Sequence, residues 1–286
     1  MKPIAVIDLF CGMGGFSQGA IEAGAKVVLA VDLWEESLKV HYHNHPGTPI
    51  KRMTLGTKNQ FSLFMREVEK WRKLGYHVHI HGSPPCQALS NASSRDPSEG
   101  MPLVIWFLDL VKFTKPDSWS MENVVPMRKR LPEGTPSVVL NSADYGVAQT
   151  RRRCIAGEGW EAIPTHNKET WLSVIDVLPH LTEELGTHIN LDGVSDSNSR
   201  RAKSADFDIN STSGTLRNNK PTLREIKLET KPKKIRSLTI EETLTLQGFD
   251  PKYDMTQART QKNRWTMIGN AVVPAVAKAI IGGIKQ

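Results

Sequence analysis

The sequence predicts an α/β chain built on a doubly wound, mostly parallel sheet, with a small second module inserted late in the chain. Short apolar runs alternate with helically spaced apolar residues through the first half, the pattern of strand–helix–strand units whose sheet is covered on both faces. From about Thr182 to Ile235 that texture gives way to a polar stretch rich in Ser, Asn, Lys and Arg, and helical spacing then returns.

Ile4 to Leu9 is a buried-strand run that ends in a glycine-rich turn, Phe16 to Ala23 has helical spacing, and Lys26 to Val31 reads as the next strand. Phe61, Phe64, Met65, Val68 and Trp71 recur on one helical face, followed by a strand at Val78 to His81, an apolar helix at Leu103 to Phe113 and a strand near Trp119. Trp171 to Leu178 is expected to be a further core helix. Ile240 to Leu246 and Val272 to Ile281 are helical again, so the expected organisation is a catalytic and cofactor-binding domain at 1–181, a small target-recognition module at 182–235 and a segment at 236–286 that rejoins the main domain.

A chain of 286 residues accommodates one full α/β core plus a small module. The formal net charge of +7 favours a polyanionic partner without proving one. Cys11, Cys86 and Cys154 are too few and too scattered for a disulfide framework or a zinc site, which fits a reducing compartment and no metal. No run of about 18 uninterrupted apolar residues suggests a membrane span, and the start runs directly into a strand pattern instead of a cleavable signal. The expected location is cytoplasmic or nucleoid-associated.

Three stretches carry chemistry. In DLFCGMGGF, Asp8 to Phe16, the residues Gly12, Gly14 and Gly15 follow a strand and open a helix, where a ligand can approach bare backbone and free amides. The same spacing also serves an ordinary tight turn. Asp32, at the end of the next strand, suits ribose hydroxyls, or else caps a helix starting near Glu35. In GSPPCQALS, Gly82 to Ser90, Pro84 and Pro85 stiffen a loop at the carboxyl edge of the sheet and present the thiol of Cys86. The tripeptide Glu122-Asn123-Val124 ends another strand, and a carboxyl group in an apolar enclosure holds a proton that it can donate to a ring nitrogen. Beyond it, Gln149, Arg151 and Arg153 in QTRRRC are spaced to share one face of a strand, with arginine forks that suit carbonyl and phosphate oxygens.

Together these motifs resemble those of the cytosine-carbon-5 DNA methyltransferase family. DLFCGMGGF is similar to its donor-binding motif, GSPPCQ to its nucleophile motif, Glu122 to Val124 to its ENV, and Gln149, Arg151 and Arg153 to its Q-x-R-x-R; RSLTIEETLTLQGF from Arg236 and GNAVVP from Gly269 resemble its two C-terminal motifs. The resemblance covers nearly the whole chain apart from Thr182 to Ile235, and six motifs in family order are very specific. It implies the S-adenosylmethionine-dependent methyltransferase fold, S-adenosylmethionine as donor, S-adenosylhomocysteine as product and double-stranded DNA as the partner of a monomeric enzyme.

The resemblance also implies roles. Cys86 adds to carbon 6 of a cytosine flipped out of the duplex, Glu122 serves ring nitrogen 3, Arg153 binds the carbonyl oxygen, and Arg151 serves the backbone or orients the loop. Asp8, Phe10, Gly12, Gly14, Gly15, Asp32, Pro84, Asn270 and Ala271 match the donor site, with Leu33 over the adenine. Thr222 matches a family threonine near the backbone of the flipped nucleotide; Gln87, Ser90, Gln149 and the basic Arg201 and Arg224 are expected to contact the DNA as well, and the polar stretch Ser90 to Gly100 is expected to close over the base. One departure stands out: where the family has Gly-Asp-Ile, this chain has Met53-Thr54-Leu55, without the acid for the adenine amine. The same motifs are compatible with a tRNA cytosine methyltransferase, whereas a catalytically inactive DNA-binding relative is opposed by the intact Cys86, Glu122 and Arg153.

Overall fold

The computed structural model describes residues 1–85, 100–185, 189–192, 194–195, 207–213, 215–216, 221–225 and 233–286. Its first part runs Ile4–Leu9 (β1), Gly15–Glu22 (α1), Lys26–Asp32 (β2), Glu35–Asn44 (α2), Ile50–Arg52 (β3), Phe61–Lys73 (α3), His77–Gly82 (β4), Met101–Thr114 (α4), Ser118–Val124 (β5), Ser137–Asn141 (β6) and Arg152–Glu158 (β7). These strands form one seven-stranded sheet in the order β3-β2-β1-β4-β5-β7-β6. All neighbours are parallel except β7, which runs antiparallel to both β5 and β6. The doubly wound, mostly parallel sheet read from the sequence is therefore present.

Both faces of the sheet are covered. On one side Ile7, Leu9, Val78, Ile80 and Met121 pack with Phe64 and Val68 of α3 and Phe107 and Leu110 of α4. On the other, Val6, Val27 and Ile155 pack with Phe16 and Ala20 of α1 and with Val276, Ala277 and Ile280 near the C-terminus. β4 is buried along its whole length, yet it reads HVHIHG. Alternating polar and apolar residues ordinarily mark a half-exposed strand. Here the polar face is interior because each histidine meets a serine of β5.

The stretch expected to be one helix from Trp171 to Leu178 is instead a single turn at Val174–Val177 (α5), followed by His180–Leu185 (α6). Pro179 explains the break, because it disfavours helical backbone at the residue before it. The polar segment that follows holds strands at Ile189–Asp192 (β8), Val194–Ser195 (β9), Phe207–Asp208 (β10), Thr215–Leu216 (β11), Thr222–Glu225 (β12) and Lys233–Ser237 (β13). Four of them form an antiparallel sheet in the order β10-β8-β12-β13, and β9 pairs with β11. Ile209, Leu216 and Leu238 seat this module against Ala148, Val174, Leu181 and Leu246.

The chain then returns through Ile240–Leu246 (α7), Gln261–Asn270 (α8) and Pro274–Gly282 (α9). The 22 residues Gln261–Gly282 are apolar and long enough to cross a membrane, but 61% of their most apolar window is buried inside the fold, and Ala271–Val273 divides them into two helices. Pro274 begins α9 at the position where a missing amide costs nothing. α9 lies so close to α1 that a β-carbon on Gly19 would stand 2.0 Å from the Pro274 carbonyl oxygen. That contact fixes the C-terminal segment on the main sheet.

α7 opens with a capping box between Thr239 and Glu242. Burial alone would raise the Glu242 carboxyl, but hydrogen bonds from Arg236, His180 and the Thr239 amide outweigh it and bring the group from 4.5 down to about 2. A carboxyl depressed on folding stabilises the fold above its ordinary value and ceases to do so as pH falls through the folded one. The wild type is therefore expected to be more stable than Glu242→Gln at pH 6 and to lose that advantage between about pH 4.5 and 2, as urea unfolding at stepped pH would read out.

Candidate active site

The strand order reverses between β1 and β4, and open α/β sheets bind ligands above the carboxyl ends of strands at such a point. A cavity of about 330 Å³ lies there. Its wall is built by the turns after β1 (Phe10 to Met13), β2 (Asp32 to Trp34), β3 (Met53 to Leu55) and β4 (Ser83 to Pro85). Glu122 on β5, Arg151 and Arg153 at the start of β7, and Gly269 to Val272 at the end of α8 and just beyond it complete it. Residues spread over nearly the full chain thus meet in one crevice.

The turn after β1 is sharply left-handed, with φ of 56° at Phe10 and 55° at Gly12. Positive φ in an aromatic residue is strained, and such strain gathers at binding sites; the Phe10 ring is braced edge-on by Trp106, with centroids 6.1 Å apart. Asp32 holds this turn to the next one. Its carboxylate accepts the Gly12 amide and the Trp34 amide, each at 2.8 Å. Leu33 stands beside it on the cavity wall with 55% of its surface exposed, an apolar face available to a flat ring.

The glycines divide in role. Gly12 borders the cavity, whereas Gly14 and Gly15 do not. A β-carbon on Gly14 would strike His41 at 2.8 Å, and one on Gly15 would strike the Val272 carbonyl oxygen at 2.1 Å. Both glycines therefore serve packing of the turn, a correction to their expected donor contact. Asp8 is corrected in the same way. It is fully buried away from the cavity, accepts from Ser17 at 2.7 Å, and is pushed up by burial to about 7.

Gln149 and Arg151 precede β7 instead of sharing a face with Arg153. Gln149 is fully buried; its amide donates to the Leu246 carbonyl and the Gln247 side chain and accepts from the Leu216 amide. A side chain spent in this way cannot reach DNA, which corrects that expectation. Gln247 in turn donates to the Ala271 carbonyl at 2.9 Å. The Arg151 guanidinium donates to the carbonyls of Leu216, Gly269 and Ala271. These bonds tie the Arg151 side chain to the cavity wall that it also lines.

Glu122 sits at 3.0 Å from Arg153 in an ion pair whose two side chains are 12% and 18% exposed. The apolar enclosure expected around the carboxyl group is thus a paired one. Next to it, Asn123 is fully buried and donates to the Pro84 carbonyl at 3.1 Å, tying the end of β5 to the proline loop. That tie was invisible in the tripeptide itself. Cys11 and Cys154 are buried thiols pushed up by their burial, Cys154 to about 11, so neither is an activated nucleophile. Cys86, Gln87, Ser90 and Arg201 lie outside the described residues, as do the side chains of Thr222 and Arg224 on β12. Ser83, Trp34, Ser37 and Met267 line the cavity without having been singled out in the sequence; of these, only the neighbours of known motifs carried a signal.

A crossing-point cavity with a glycine turn, an acid at the end of β2 and an acid–guanidinium pair beside the proline loop is the arrangement of a nucleotide-ligand enzyme of the doubly wound class. The family of C-5 cytosine-specific DNA methylases matches the chain over residues 4–133 and 158–286. Type II methyltransferase M.HindV of Haemophilus influenzae is 28% identical over 97% of this chain and 95% of its own. Type II methyltransferase M.HgiDI of Herpetosiphon aurantiacus is 26% identical over 93% and 89%. In fold, a DNMT2 mutant of Spodoptera frugiperda superposes with a TM-score of 0.64 at 16% identity, covering 96% of this chain and 97% of that one. The chain belongs to the C-5 cytosine-specific DNA methylases and is an S-adenosylmethionine-dependent enzyme acting on carbon 5 of cytosine in DNA. The unmatched 134–157 contains Arg151 and Arg153, whose assignment rests on their place at the cavity.

Arg151→Met preserves bulk but leaves three carbonyls without their donor. It is expected to destabilise the fold by about 1 to 3 kcal/mol and to weaken binding of S-adenosylhomocysteine, measured by urea unfolding and by calorimetry respectively.

Proposed function

We propose that Cys86 is the nucleophile, Glu122 the acid at ring nitrogen 3 and Arg153 the partner of the cytosine carbonyl oxygen, with the donor held along Phe10, Gly12, Asp32, Leu33, Pro84, Asn270 and Ala271. One observation carries this reading: the Glu122–Arg153 pair and the Ser83 to Pro85 loop border the same cavity as the Gly12 turn.

The residues fit S-adenosylmethionine. Gly12 leaves the cavity side open, with nothing nearer to an added β-carbon than Ser37 at 4.0 Å; Asp32 retains carboxylate lone pairs for ribose hydroxyls; Asn270 is exposed at the wall. Met53, Thr54 and Leu55 border the cavity, so the adenine region is met by these three and Leu33 in place of an acid. Bound there, the donor supplies an electrophilic methyl carbon.

Carbonyl oxygen and ring nitrogen 3 are neighbours on cytosine, and a carboxyl and a guanidinium paired at 3.0 Å are spaced to take one each. Arg153 steadies the oxygen as charge builds on the ring, and Glu122 gives nitrogen 3 a proton. The Cys86 thiolate adds to carbon 6 and makes carbon 5 nucleophilic; after methylation the carbon 5 proton is lost and the thiolate departs. Burial of Cys11 and Cys154 supports Cys86 as the reactive one of three cysteines. Residues 1–181 and 236–286 form the catalytic part of a monomer, and 182–235 read double-stranded DNA. Arg201, Thr222 and Arg224 serve there, with Gln87 and Ser90 near the base.

Cys86→Ala is expected to abolish methyl transfer while S-adenosylhomocysteine still binds, and the wild type should form a denaturation-resistant adduct with duplex DNA carrying 5-fluorocytosine. Active enzyme that traps no adduct would remove Cys86 from this role. Glu122→Gln is expected to slow single-turnover transfer by about 10²- to 10⁴-fold, with DNA and donor saturating. Running both assays with tRNA in place of DNA separates the RNA-methylating reading, which predicts the adduct on tRNA alone.

A further inference from the structure

A continuous row of hydrogen bonds crosses the interior from the foot of the sheet to the cavity. His77 Nε2 meets Ser118 Oγ at 2.8 Å, and the same hydroxyl meets His79 Nδ1 at 2.8 Å. His79 Nε2 meets Ser120 Oγ at 2.9 Å, which meets His81 Nδ1 at 2.8 Å, and His81 Nε2 meets Ser83 Oγ at 2.8 Å. Ser83 borders the cavity, and His77, at the far end, retains 7% exposure beside Lys2 and Asp117. Between these ends His79, His81, Ser118 and Ser120 are within 1% of complete burial, and the Phe16 ring stacks on His81 at 3.5 Å.

The row leads to Glu122. Side chains two apart on a strand share a face, so Ser118, Ser120 and Glu122 lie on one side of β5, as His77, His79 and His81 do on β4. His81 pairs with Ser120 across the two strands, and the next same-face positions beyond that pair are Ser83 and Glu122. Both border the cavity.

Hydrogen counting restricts this row to two states. A hydroxyl has one hydrogen, and a neutral imidazole has one donor and one acceptor nitrogen. Ser118 and Ser120 are each held between two rings; one hydroxyl hydrogen cannot serve both, and accepting from both would leave a buried hydroxyl hydrogen unpaired, so each donates to one ring and accepts from the other. In the first state Ser83 donates to His81, every ring carries its hydrogen on Nδ1, and donation runs toward His77. In the second every ring carries it on Nε2, donation runs the other way, and Ser83 turns its hydrogen to the cavity. The two states differ by one proton displaced along the whole row.

We propose that this histidine–serine row is a proton path connecting solvent at His77 with the cavity at Ser83, and that it serves the reversible protonation of Glu122. In the second state a proton arriving on His77 Nδ1 moves the His77 Nε2 hydrogen to Ser118, the Ser118 hydrogen to His79 Nδ1, and so on to Ser83. Ser83 then releases its cavity-facing hydrogen, through a water in the cavity, to the Glu122 carboxylate as its pairing with Arg153 is replaced by cytosine. One proton enters, one leaves, and the row is left in the first state. When the base departs and Glu122 pairs with Arg153 again, the return transfer restores the second state, so no separate reset is required. Loss of the carbon 5 proton is one-way and would leave the row inverted after each turnover; it takes another route. Burial holds the His79 and His81 rings far on the neutral side, so the shifts occur in concert and no ring charges.

The proposal rests on Glu122 as the acid, and its test leaves Glu122 in place. His79→Gln retains one donor and one acceptor for Ser118 and Ser120 but cannot exchange them. Single-turnover methyl transfer, measured in mixtures of light and heavy water, should give a bowed dependence on deuterium fraction in the wild type, because several protons move together. His79→Gln should be slower by about 10²-fold, with a linear dependence and unaltered binding of S-adenosylhomocysteine. Ser120→Ala, which removes one link, should behave likewise. A linear dependence in the wild type overturns the path, even if both variants fail to fold. So does a folded His79→Gln with wild-type rate, and so does a rate loss that keeps the bowed dependence and tracks melting temperature, which identifies a merely structural row. If instead Glu122→Gln retains the wild-type rate, the acid assignment fails whatever the row does.

Discussion

The buried guanidinium of Arg151 joins three parts of the chain that are remote in sequence. A charged group without partners in the interior is prohibitively costly, and this one is satisfied by the carbonyls of Leu216, Gly269 and Ala271. Leu216 belongs to the inserted module, and the other two to the C-terminal return. Gln149 and Gln247 brace the same joint from either side. The end of α8 that carries Asn270 is therefore held at the cavity by side chains that precede β7 and follow α7, so the wall stays continuous across segments remote in sequence.

The site divides into residues that touch and residues that hold, and sequence alone distinguishes them poorly. The glycine turn was legible because missing side chains after a strand signal close approach. Which glycine faces the cavity depended on His41 and Val272, which approach from elsewhere in the fold. Gln149, Arg151 and Arg153 look equivalent as alternating polar residues, yet β7 begins only at Arg152, and the first two turn inward to backbone carbonyls. The helix expected at Trp171 failed for a local reason, Pro179, which the residue pattern contained.

β4 is the opposite case, where the pattern was seen as a strand but its polar half had no visible partner. Three histidines on one face have an interior place only if another strand supplies hydroxyls at matching spacing, and Ser118 and Ser120 do so because β4 and β5 are adjacent and parallel. That adjacency follows from topology and cannot be derived from either segment by itself. Neutral histidines in such a row satisfy every ring nitrogen that faces a serine, which removes the desolvation penalty that would otherwise exclude them.

The same pairing also sets which side chains of β5 reach the cavity. Strand side chains alternate, so a slip of one residue between β4 and β5 would place Glu122 on the α4 side of the sheet and Met121 at the cavity. An apolar pair of strands resists such a slip only through packing volume. The histidine–serine row resists it through four directional bonds between the two strands, each of which would be lost together with burial of its donor. Asn123 closes the arrangement by holding the Pro84 carbonyl, so the acid on β5 and the start of the proline loop after β4 are aligned by one register.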